Sequence, residues 1–293
     1  DLHSFPTRRS SDLWQTCGKL NVLIPFWQGG GRDLRTYRGA YNLKNNYAND
    51  VDMEIVDVST ADIAPTENDV LGYSDILNGL DDVNYVLREK SPENIFLIGG
   101  SCESSISCIA WLNKRYAGNM AIVYIDAHGD LNTPQASDSK LFYGMGLRAL
   151  TGESDPEILD KLFSTVDPKQ IIMCGNRNLD EEESRFKEEH NVSDFTAGEL
   201  NSDPTVVAKE IIKKGMDNVF IHIDLDCLDP SEFSESQVPE PDGLTCEALI
   251  SILEKIGETS NVVGLGILEY TGDENDKSNK LLKRLVQYGK EQV

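Results

Sequence analysis

Apolar residues recur along this chain in two alternating patterns. Short runs of aliphatic and β-branched residues are typical of buried strands, and they occupy residues 20–26, 53–58, 95–98, 121–125, 170–174, 219–223 and 262–268. Between these runs, apolar positions three and four residues apart predict helices at residues 73–90, 103–116, 181–189, 205–214 and 245–256 and near the C-terminal end. The clearest helix places Ile76, Leu80, Val83 and Leu87 on one face.

The alternation of strands and helices predicts the fold class. It is typical of an α/β domain in which helices cover both faces of a mostly parallel sheet. No linker-like stretch interrupts the chain, and an apolar content of 39% is enough for one sizeable core. We therefore expect a single three-layer domain.

Two of the predicted strands end in carboxylates. Asp126, His128 and Asp130 follow the strand at residues 121–125, and Asp224 and Asp226 follow the strand at residues 219–223. Residues two apart in an extended chain share a face, and ligands bind at the carboxyl ends of parallel strands. These five side chains would suit two divalent cations bridged by shared carboxylates.

A purely structural interpretation of these residues is open for either run taken alone. Aspartates after strands cap helices or close turns, and a lone histidine at a sheet end is often structural. With both runs at one edge, however, four aspartates would repel one another strongly unless cations neutralised them. Together the two runs favour a metal site.

The net charge restricts the possible binding partners, and the cysteines indicate the redox compartment. A net charge of −23 argues against nucleic acid or an anionic membrane as a partner, whereas a cationic small molecule would be attracted. The acidity could also serve solubility alone. No apolar stretch is long enough to span a bilayer, and six scattered cysteines without CxxC pairs are typical of reduced thiols in a cytoplasm. We expect a cytoplasmic protein.

Residues 1–13 differ from the rest of the chain. They read DLHSFPTRRSSDL, show neither helical nor strand periodicity, and resemble the translation of a short-read sequencing adapter. We expect this segment to be non-native and the domain to comprise residues 14–293.

Three motifs carry a resemblance to a known family. They are DAHGDLNTP at residues 126–134, DLDCLDP at residues 224–230, and Glu269 after the last predicted strand. From about residue 20 onward the chain resembles the arginases and agmatinases, which are manganese ureohydrolases. The resemblance implies a parallel sheet of about eight strands, a homo-oligomer, and hydrolysis of an amidino or guanidino C–N bond by a metal-bridging hydroxide.

The resemblance also implies roles for the metal-ligating residues. Asp126 and Asp224 match bridging carboxylates, Asp130 matches a ligand of the first metal, and His128 and Asp226 match ligands of the second. By the same resemblance, Asp130 relays a proton to the departing amine. Glu269 would pair with the guanidinium of the substrate and orient it.

Further positions match substrate-binding residues of the family. Asn132 and Ser139 match positions near the tail of an amino-acid substrate, while Asp180 and Glu183 match a loop that receives its α-amino group. A solvated loop is the alternative for these residues. Arginine-, agmatine- and formimino-type substrates all remain open.

The chain departs from the family pattern at three positions. Cys102 stands where the family usually has a histidine of the first metal site, and Tyr143 stands at a proton-shuttling histidine. A phenol is a poor shuttle at neutral pH, so Tyr143 could simply pack. His222 stands where a small residue is common.

Three explanations compete for the altered first metal site. Cys102 could ligate as a thiolate, which its place at a helix start would stabilise and which would favour Zn²⁺ or Fe²⁺ over Mn²⁺. Cys102 could instead be a small buried residue that leaves one metal, or His222 could supply the missing nitrogen. We expect two divalent cations, with Mn²⁺ implied by the resemblance. A protein that binds metal or ligand without turnover is the alternative function.

Overall fold

The structure of this protein is a computed structural model that describes residues 18–31, 33–273 and 279–293. The segment at residues 1–13 that resembles an adapter translation lies outside the described residues. The described strands are β1 (Lys19–Ile24), β2 (Glu54–Ile55), β3 (Asn94–Gly99), β4 (Met120–Ile125), β5 (Ile171–Cys174), β6 (Ser193–Phe195), β7 (Asn218–Asp224) and β8 (Asn261–Leu268).

Helices alternate with these strands. In chain order they are α1 (Arg35–Tyr47), α2 (Tyr73–Lys90), α3 (Ile106–Arg115), α4 (Gly146–Leu150), α5 (Pro156–Lys161), α6 (Glu181–Glu189), α7 (Ala197–Ser202), α8 (Val206–Lys214), α9 (Cys246–Thr259) and α10 (Lys280–Gln292). A short 3-10 turn at Cys102–Ser105 precedes α3. Among the described residues, no helix is both long and apolar enough to cross a membrane.

All eight described strands form one parallel sheet in the order β2-β1-β3-β8-β7-β4-β5-β6. Side chains along a strand alternate between its faces. Val123 and Ile125 of β4 therefore pack into one hydrophobic cluster with α1, α8, α9 and α10, whereas Ile122 and Tyr124 pack into another with α2 and α3. The predicted three-layer α/β fold and its parallel sheet are confirmed.

Several elements differ from the sequence prediction. Helix α1 was not predicted, because Leu43 is the one aliphatic residue larger than alanine on its buried face, which also contains Thr36, Gly39, Ala40 and Tyr47. The strand expected at residues 53–58 is reduced to β2. Strand β6 and helices α4, α5 and α7 were also missed, and each is six residues or shorter.

The sheet order brings four strand ends together. Strand β7 lies between β4 and β8, with Tyr124 opposite His222 and Asp224 opposite Leu268. Strand β3 lies on the other side of β8, and the backbone N–H of Glu269 donates to Gly100 O at 2.7 Å. Gly100 has no room for a side chain, because a Cβ there would lie 1.8 Å from Phe26 O. The residues that follow β3, β4, β7 and β8 therefore meet at one edge.

Candidate metal centre

Ionisable side chains are buried where these four strands end. Each of the following is at most 3% exposed: Cys102, Asp126, Asp130, His222, Asp224, Asp226 and Glu269. Buried carboxylates are costly unless they are paired or neutralised. The location at the carboxyl edge of a parallel sheet is the usual position of a ligand site in α/β folds.

Three overlapping groups of side chains have ligand atoms within 4.8 Å of one another. They are Cys102, Asp126, Asp130 and His222; then Cys102, Asp224 and Glu269; and finally Asp126, His128 and Asp226. Asp126 and Cys102 each belong to two of the groups. Carboxylate oxygens and imidazole nitrogens suit Mn²⁺ and other divalent first-row cations, so the residues present fit the metals that the sequence predicts.

Backbone amides hold the carboxylates in place. The N–H of His128 donates to Asp126 Oδ1 at 2.7 Å, and the N–H of Asp226 donates to Asp224 Oδ1 at 2.7 Å. In both cases a carboxylate accepts from the residue two positions later, so the tight turn after the strand orients the side chain. The second oxygen of each aspartate lies near Cys102 Sγ, at 3.8 Å for Asp126 Oδ2 and 3.1 Å for Asp224 Oδ2.

His128 pairs with aspartates from both strands. Its Nδ1 lies 2.9 Å from Asp226 Oδ2 and 3.6 Å from Asp126 Oδ1. Burial alone would lower the pKa of His128, but hydrogen bonds and charge from Asp126 and Asp226 outweigh burial and raise that pKa. The two aspartates thus favour the protonated form of His128, whose positive charge opposes theirs.

The carboxylates themselves are difficult to ionise together. Burial, followed by the charge of Asp226, raises the pKa of Asp126 to about 7. Burial and neighbouring carboxylates also raise the pKa values of Asp130, Asp224 and Glu269 well above their ordinary range. A bound cation would favour the ionised forms, so the cluster has the electrostatics of a metal site.

Cys102 lies inside the cluster as a thiol. Its Sγ donates to Asp224 Oδ2 at 3.1 Å, and Asp126 Oδ2 is 3.8 Å away. Burial, followed by the charge of Asp224 and other carboxylates, raises the pKa of the Cys102 thiol well above its ordinary value. Burial and the neighbouring carboxylates therefore oppose the thiolate that the helix start was expected to stabilise, and ligation by Cys102 stays a prediction.

His222 also points into the cluster. Its Nε2 lies 3.9 Å from Asp126 Oδ2, and its ring stacks on Tyr124 with centroids 3.8 Å apart. Burial lowers the pKa of His222 to about 3, so the ring is neutral. The sequence left open whether His222 belongs to the core or to the site. In the structure its ring packs on Tyr124 of the core, while its Nε2 faces Asp126 of the cluster.

Glu269 and Asp130 have unusual backbone conformations. Their φ angles are 63° and 52°, in the left-handed region that non-glycine residues rarely adopt. Glu269 Oε1 accepts from the N–H of Cys102 at 2.9 Å, while Oε2 is buried with no hydrogen-bond partner among the described residues. Asp130 Oδ2 accepts from the Tyr124 hydroxyl at 2.5 Å. Strain at both residues is consistent with a functional site.

Comparison with known proteins identifies the family. A profile described as the arginase family matches residues 29–288. The chain belongs to the arginase family. An arginase from Staphylococcus aureus strain MRSA252 is 28% identical over 238 residues, which cover 78% of this chain and 77% of that protein.

Solved structures show the same fold. Entamoeba histolytica arginase, solved in complex with L-ornithine, superposes with a TM-score of 0.84 at 19% identity and covers 94% of this chain and 99% of its own. Formimidoylglutamase from Bacillus subtilis superposes with a TM-score of 0.67 at 19% identity, covering 95% of this chain and 87% of its own. Proteins named for different substrates therefore share this fold, and the fold does not decide between substrates.

The other residues that the arginase resemblance singled out lie outside the buried cluster. Asn132 Nδ2 donates to Asp180 Oδ2 at 2.8 Å, which brings two predicted substrate contacts together. Glu183 is buried, and its two oxygens accept from the N–H groups of Leu131 and Asp180 at 3.0 Å each. Through its hydrogen bond with the Leu131 N–H, Glu183 thus stabilises the loop that carries Asp130. Ser139 is exposed, and its Oγ lies 3.3 Å from Ser137 Oγ.

Tyr143 lies at the border of the cluster. It is half-buried, and its N–H donates to Gly29 O at 3.2 Å. Burial, followed by the charge of Glu269, raises the pKa of its phenol, so Tyr143 stays protonated at neutral pH. The hydroxyl can donate a hydrogen bond but cannot shuttle protons as an imidazole would.

Sequence reasoning missed Glu103, Ser105, Tyr124 and Glu240. Glu103 is 1% exposed and accepts from the Gly29 N–H at 2.9 Å and from Ser101 Oγ at 2.7 Å. The residue in the sequence that relates to the first of these contacts is Gly29, which makes room for the carboxyl group. A Cβ at Gly29 would lie 2.3 Å from the Glu103 carboxyl carbon. Glu240 Oε1 lies 3.8 Å from His128 Nε2, and no local spacing in the sequence could have indicated this contact.

Proposed function

We propose that this member of the arginase family hydrolyses a C–N bond of a small cationic amidino or guanidino compound at a centre of two divalent cations. The observation that carries the proposal is the buried cluster at the ends of β3, β4, β7 and β8. The pKa values of Asp126, Asp130 and Asp224 are raised, and the carboxylate oxygens of Asp126 lie within 4.8 Å of imidazole nitrogens of His128 and His222. The family membership agrees with this chemistry.

The residues that would hold the cations are Asp126, His128, Asp130, Asp224 and Asp226. Divalent cations in such a site supply Lewis acidity, which lowers the pKa of water and makes it a nucleophile near neutral pH. We take Mn²⁺ as the first candidate, because oxygen and imidazole ligands dominate the cluster. Zn²⁺ or Fe²⁺ would be favoured if Cys102 ligated as a thiolate.

Glu269 would bind the substrate cation. One of its oxygens is fixed by the Cys102 N–H, and the other is buried without a partner among the described residues. A carboxylate with one free oxygen matches an N–H of a guanidinium or amidinium group. Such a pair would hold the planar carbon of the substrate against the cluster.

Asp130 would carry the proton to the departing amine. Its raised pKa favours a carboxyl that can be protonated and deprotonated during turnover. The Tyr124 hydroxyl donates to Asp130 Oδ2, so Oδ1 is the oxygen that would serve the cation and the departing amine. Tyr143 would contribute a hydrogen-bond donor near Glu269, and Asn132, Ser139, Asp180 and Glu183 would lie toward the tail of the substrate.

The test uses the purified, metal-loaded chain with L-arginine, agmatine and N-formimino-L-glutamate as probes. Release of urea from either guanidino compound, or of formamide or ammonia from the formimino compound, would support the proposal and name the substrate class. The same assay with Glu269→Gln, which keeps the shape but removes the charge, should retain the metal and lose at least about a hundredfold in turnover. Equal turnover in that variant would contradict the role of Glu269.

Binding without turnover is the second candidate function. The observation that favours it is the replacement of two histidines that the resemblance implies, by Cys102 and Tyr143. This alternative predicts that the metal-loaded protein binds a guanidino ligand by calorimetry while no product accumulates. A homo-oligomer, which the resemblance also implies, is tested by sedimentation of the same sample.

A further inference from the structure

We infer that His222 is a ligand of the first metal and supplies the imidazole that is missing at Cys102. The inference rests on the proposed metal centre but not on catalysis at it. In this arrangement the nitrogen ligand comes from strand β7, inside the sheet. It does not come from position 102, at the start of the 3-10 turn after β3, where the resemblance implies a histidine. The first metal would then be held by His222 together with Asp126 and Asp130, whose ligand atoms lie within 4.8 Å of one another.

The position of Nε2 is the first argument. His222 is 0% exposed, and its Nε2 has no hydrogen-bond partner among the described residues. This atom lies 3.9 Å from Asp126 Oδ2, which is too far for a hydrogen bond but suits two ligands of one cation. His222 also belongs to the group of ligand atoms formed with Cys102, Asp126 and Asp130. The nitrogen is therefore directed at the carboxylates without binding either of them.

The hydrogen bond at the other ring nitrogen is the second argument. His222 Nδ1 lies 2.9 Å from Ser105 Oγ. Ser105 Oγ also lies 3.2 Å from Cys102 O, an acceptor that can take its single hydroxyl proton, and with the proton donated there Oγ accepts from Nδ1. In a neutral imidazole this leaves Nε2 without a proton, with its lone pair toward the cluster. Metal-bound histidines usually have their second nitrogen fixed in this way.

The orientation of the ring is the third argument. The ring stacks on Tyr124 at an interplanar angle of 14°. Tyr124 in turn donates its hydroxyl to Asp130 Oδ2 at 2.5 Å, so one side chain positions both His222 and Asp130. A ring held on its face and at Nδ1 cannot turn Nε2 away. The imidazole is preorganised for a cation that Asp130 would also bind.

A merely structural histidine would look different. Buried polar atoms in folded proteins nearly always have a partner, and a core histidine would use both ring nitrogens. Here a bare nitrogen faces Asp126, and two acceptors without a proton between them repel. A cation between Nε2 and the carboxylates removes that repulsion. The Cys102 thiol already has an acceptor in Asp224, so it does not require the metal.

The experiment observes the ligand directly in the parent chain. Protein labelled with ¹⁵N-histidine and loaded with ¹¹³Cd²⁺ should show scalar coupling between cadmium and Nε2 of His222, in addition to the coupling of His128. The spectrum needs no mutation, so a folding defect cannot obscure it. Coupling to His128 alone would overturn the inference.

Variants then measure metal content and affinity by elemental analysis after dialysis against Mn²⁺. His222→Gln should lose one of the two metal ions, and Cys102→Ala should keep both. Ser105→Ala should weaken binding of one ion by about 10- to 100-fold, because it frees the ring. His190→Gln is the matched control, since His190 is exposed at the end of α6, and it should bind both ions like the parent.

Two results for the metal content of the variants would contradict ligation by His222. Retention of both ions at parental affinity by His222→Gln would overturn the inference, as would loss of one ion by Cys102→Ala in place of His222→Gln. Neither readout involves hydrolysis. A chain that binds metal through His222 and yet releases no product would contradict the proposed function alone.

Discussion

Individual aspartates of the two motifs differ in their surroundings, although they look alike in sequence. Asp126 and Asp224 are buried beside other carboxylates, and burial raises both of their pKa values. Asp229 belongs to the same motif as Asp224, but hydrogen bonds from Ser231 and Gly243 lower its pKa to about 2. Asp229 therefore closes a turn, whereas Asp126 and Asp224 are suited to cations.

This contrast gives a prediction with an internal control. Asp126→Asn or Asp224→Asn should remove most bound metal and all detectable hydrolysis, because each carboxylate is expected to contact both cations. Asp229→Asn should keep the metal content of the parent. Elemental analysis of the three dialysed variants is the measurement. Full metal content in either of the first two variants would contradict the bridging assignment.

Glu103 allows a prediction about charge in the metal-free protein. Burial raises its pKa, and Glu103 in turn contributes to the raised pKa of Glu269. A carboxyl whose pKa is raised in the folded state stabilises most below its unfolded pKa, and this contribution is lost as pH rises through the folded pKa. Glu103→Gln cannot ionise, so this variant avoids the loss of stability at higher pH. Its amide oxygen can still accept a hydrogen bond from the N–H of Gly29.

The expected result is a higher Tm for Glu103→Gln than for the parent in chelator-treated samples, by more at about pH 8 than at about pH 5. Thermal unfolding followed by circular dichroism at both pH values measures it. A Tm difference that was larger at the lower pH would show that Glu103 is ionised and well solvated, contrary to its burial.

At the scale of elements, helix α1 supports the site from behind. Gly39 packs against the backbone that follows Glu269, where a Cβ would lie 1.6 Å from Tyr270 O. Gly198 in α7 has no atom within 4 Å of the corresponding position. The two glycines thus form a matched pair, one in contact and one open.

Gly39→Ala should destabilise the protein by about 1–3 kcal/mol, because the clash with backbone exceeds a gain in helix propensity of about 1 kcal/mol. Its effect on turnover should be larger than its effect on metal content, since Glu269 precedes Tyr270. Gly198→Ala should be neutral or slightly stabilising. Urea denaturation of both variants, with metal analysis, is the measurement, and unchanged stability of Gly39→Ala would refute the packing argument.

The elements and the site were predictable to different degrees. Strands such as β4 and β7 could be predicted because both of their faces are buried, which gives a continuous apolar run. Helix α2 could be predicted from its aliphatic stripe. Helix α1 could not, because close packing of Gly39 and Ala40 replaces that stripe. The aspartates were found from spacing within one segment. Glu103 and Ser105 were missed because their contacts with Gly29 and His222 join distant segments, which local sequence cannot show. Tyr124 precedes Asp130 in the same motif, but strand alternation does not indicate the hydrogen bond between them.

At the scale of the whole molecule, the stability of the protein should depend on pH and on metal together. The raised pKa values of Asp126 and its neighbours, and that of His128, act in the same direction. For the carboxylates, stability is greatest below the ordinary value of 3.8 and, for Asp126, is lost as pH rises through about 7. The contribution of His128 is complete below its ordinary value of 6.5 and is lost only at higher pH.

Chelator-treated protein should therefore lose Tm steadily from about pH 5 to about pH 8. Mn²⁺ should restore the Tm most at the upper end of this range, because ionised ligands bind it without first releasing protons. Calorimetric scans with and without metal across the range are the measurement. A metal-free Tm that rose with pH would mean that the cluster is not a source of repulsion.

The strand order also constrains how the chain is made. Strand β8, which begins at Asn261, is inserted between β3 and β7, so it joins the two halves of the sheet although it is the last strand that the structure describes. A growing chain on the ribosome can pair β1 with β3 early, but β3 and β7 each keep an open edge until β8 emerges. Such edges are templates for aggregation. Nascent chains that stall before β8 should accordingly depend on chaperones, and their proposed site would lack its substrate-binding carboxylate until Glu269 had left the exit tunnel.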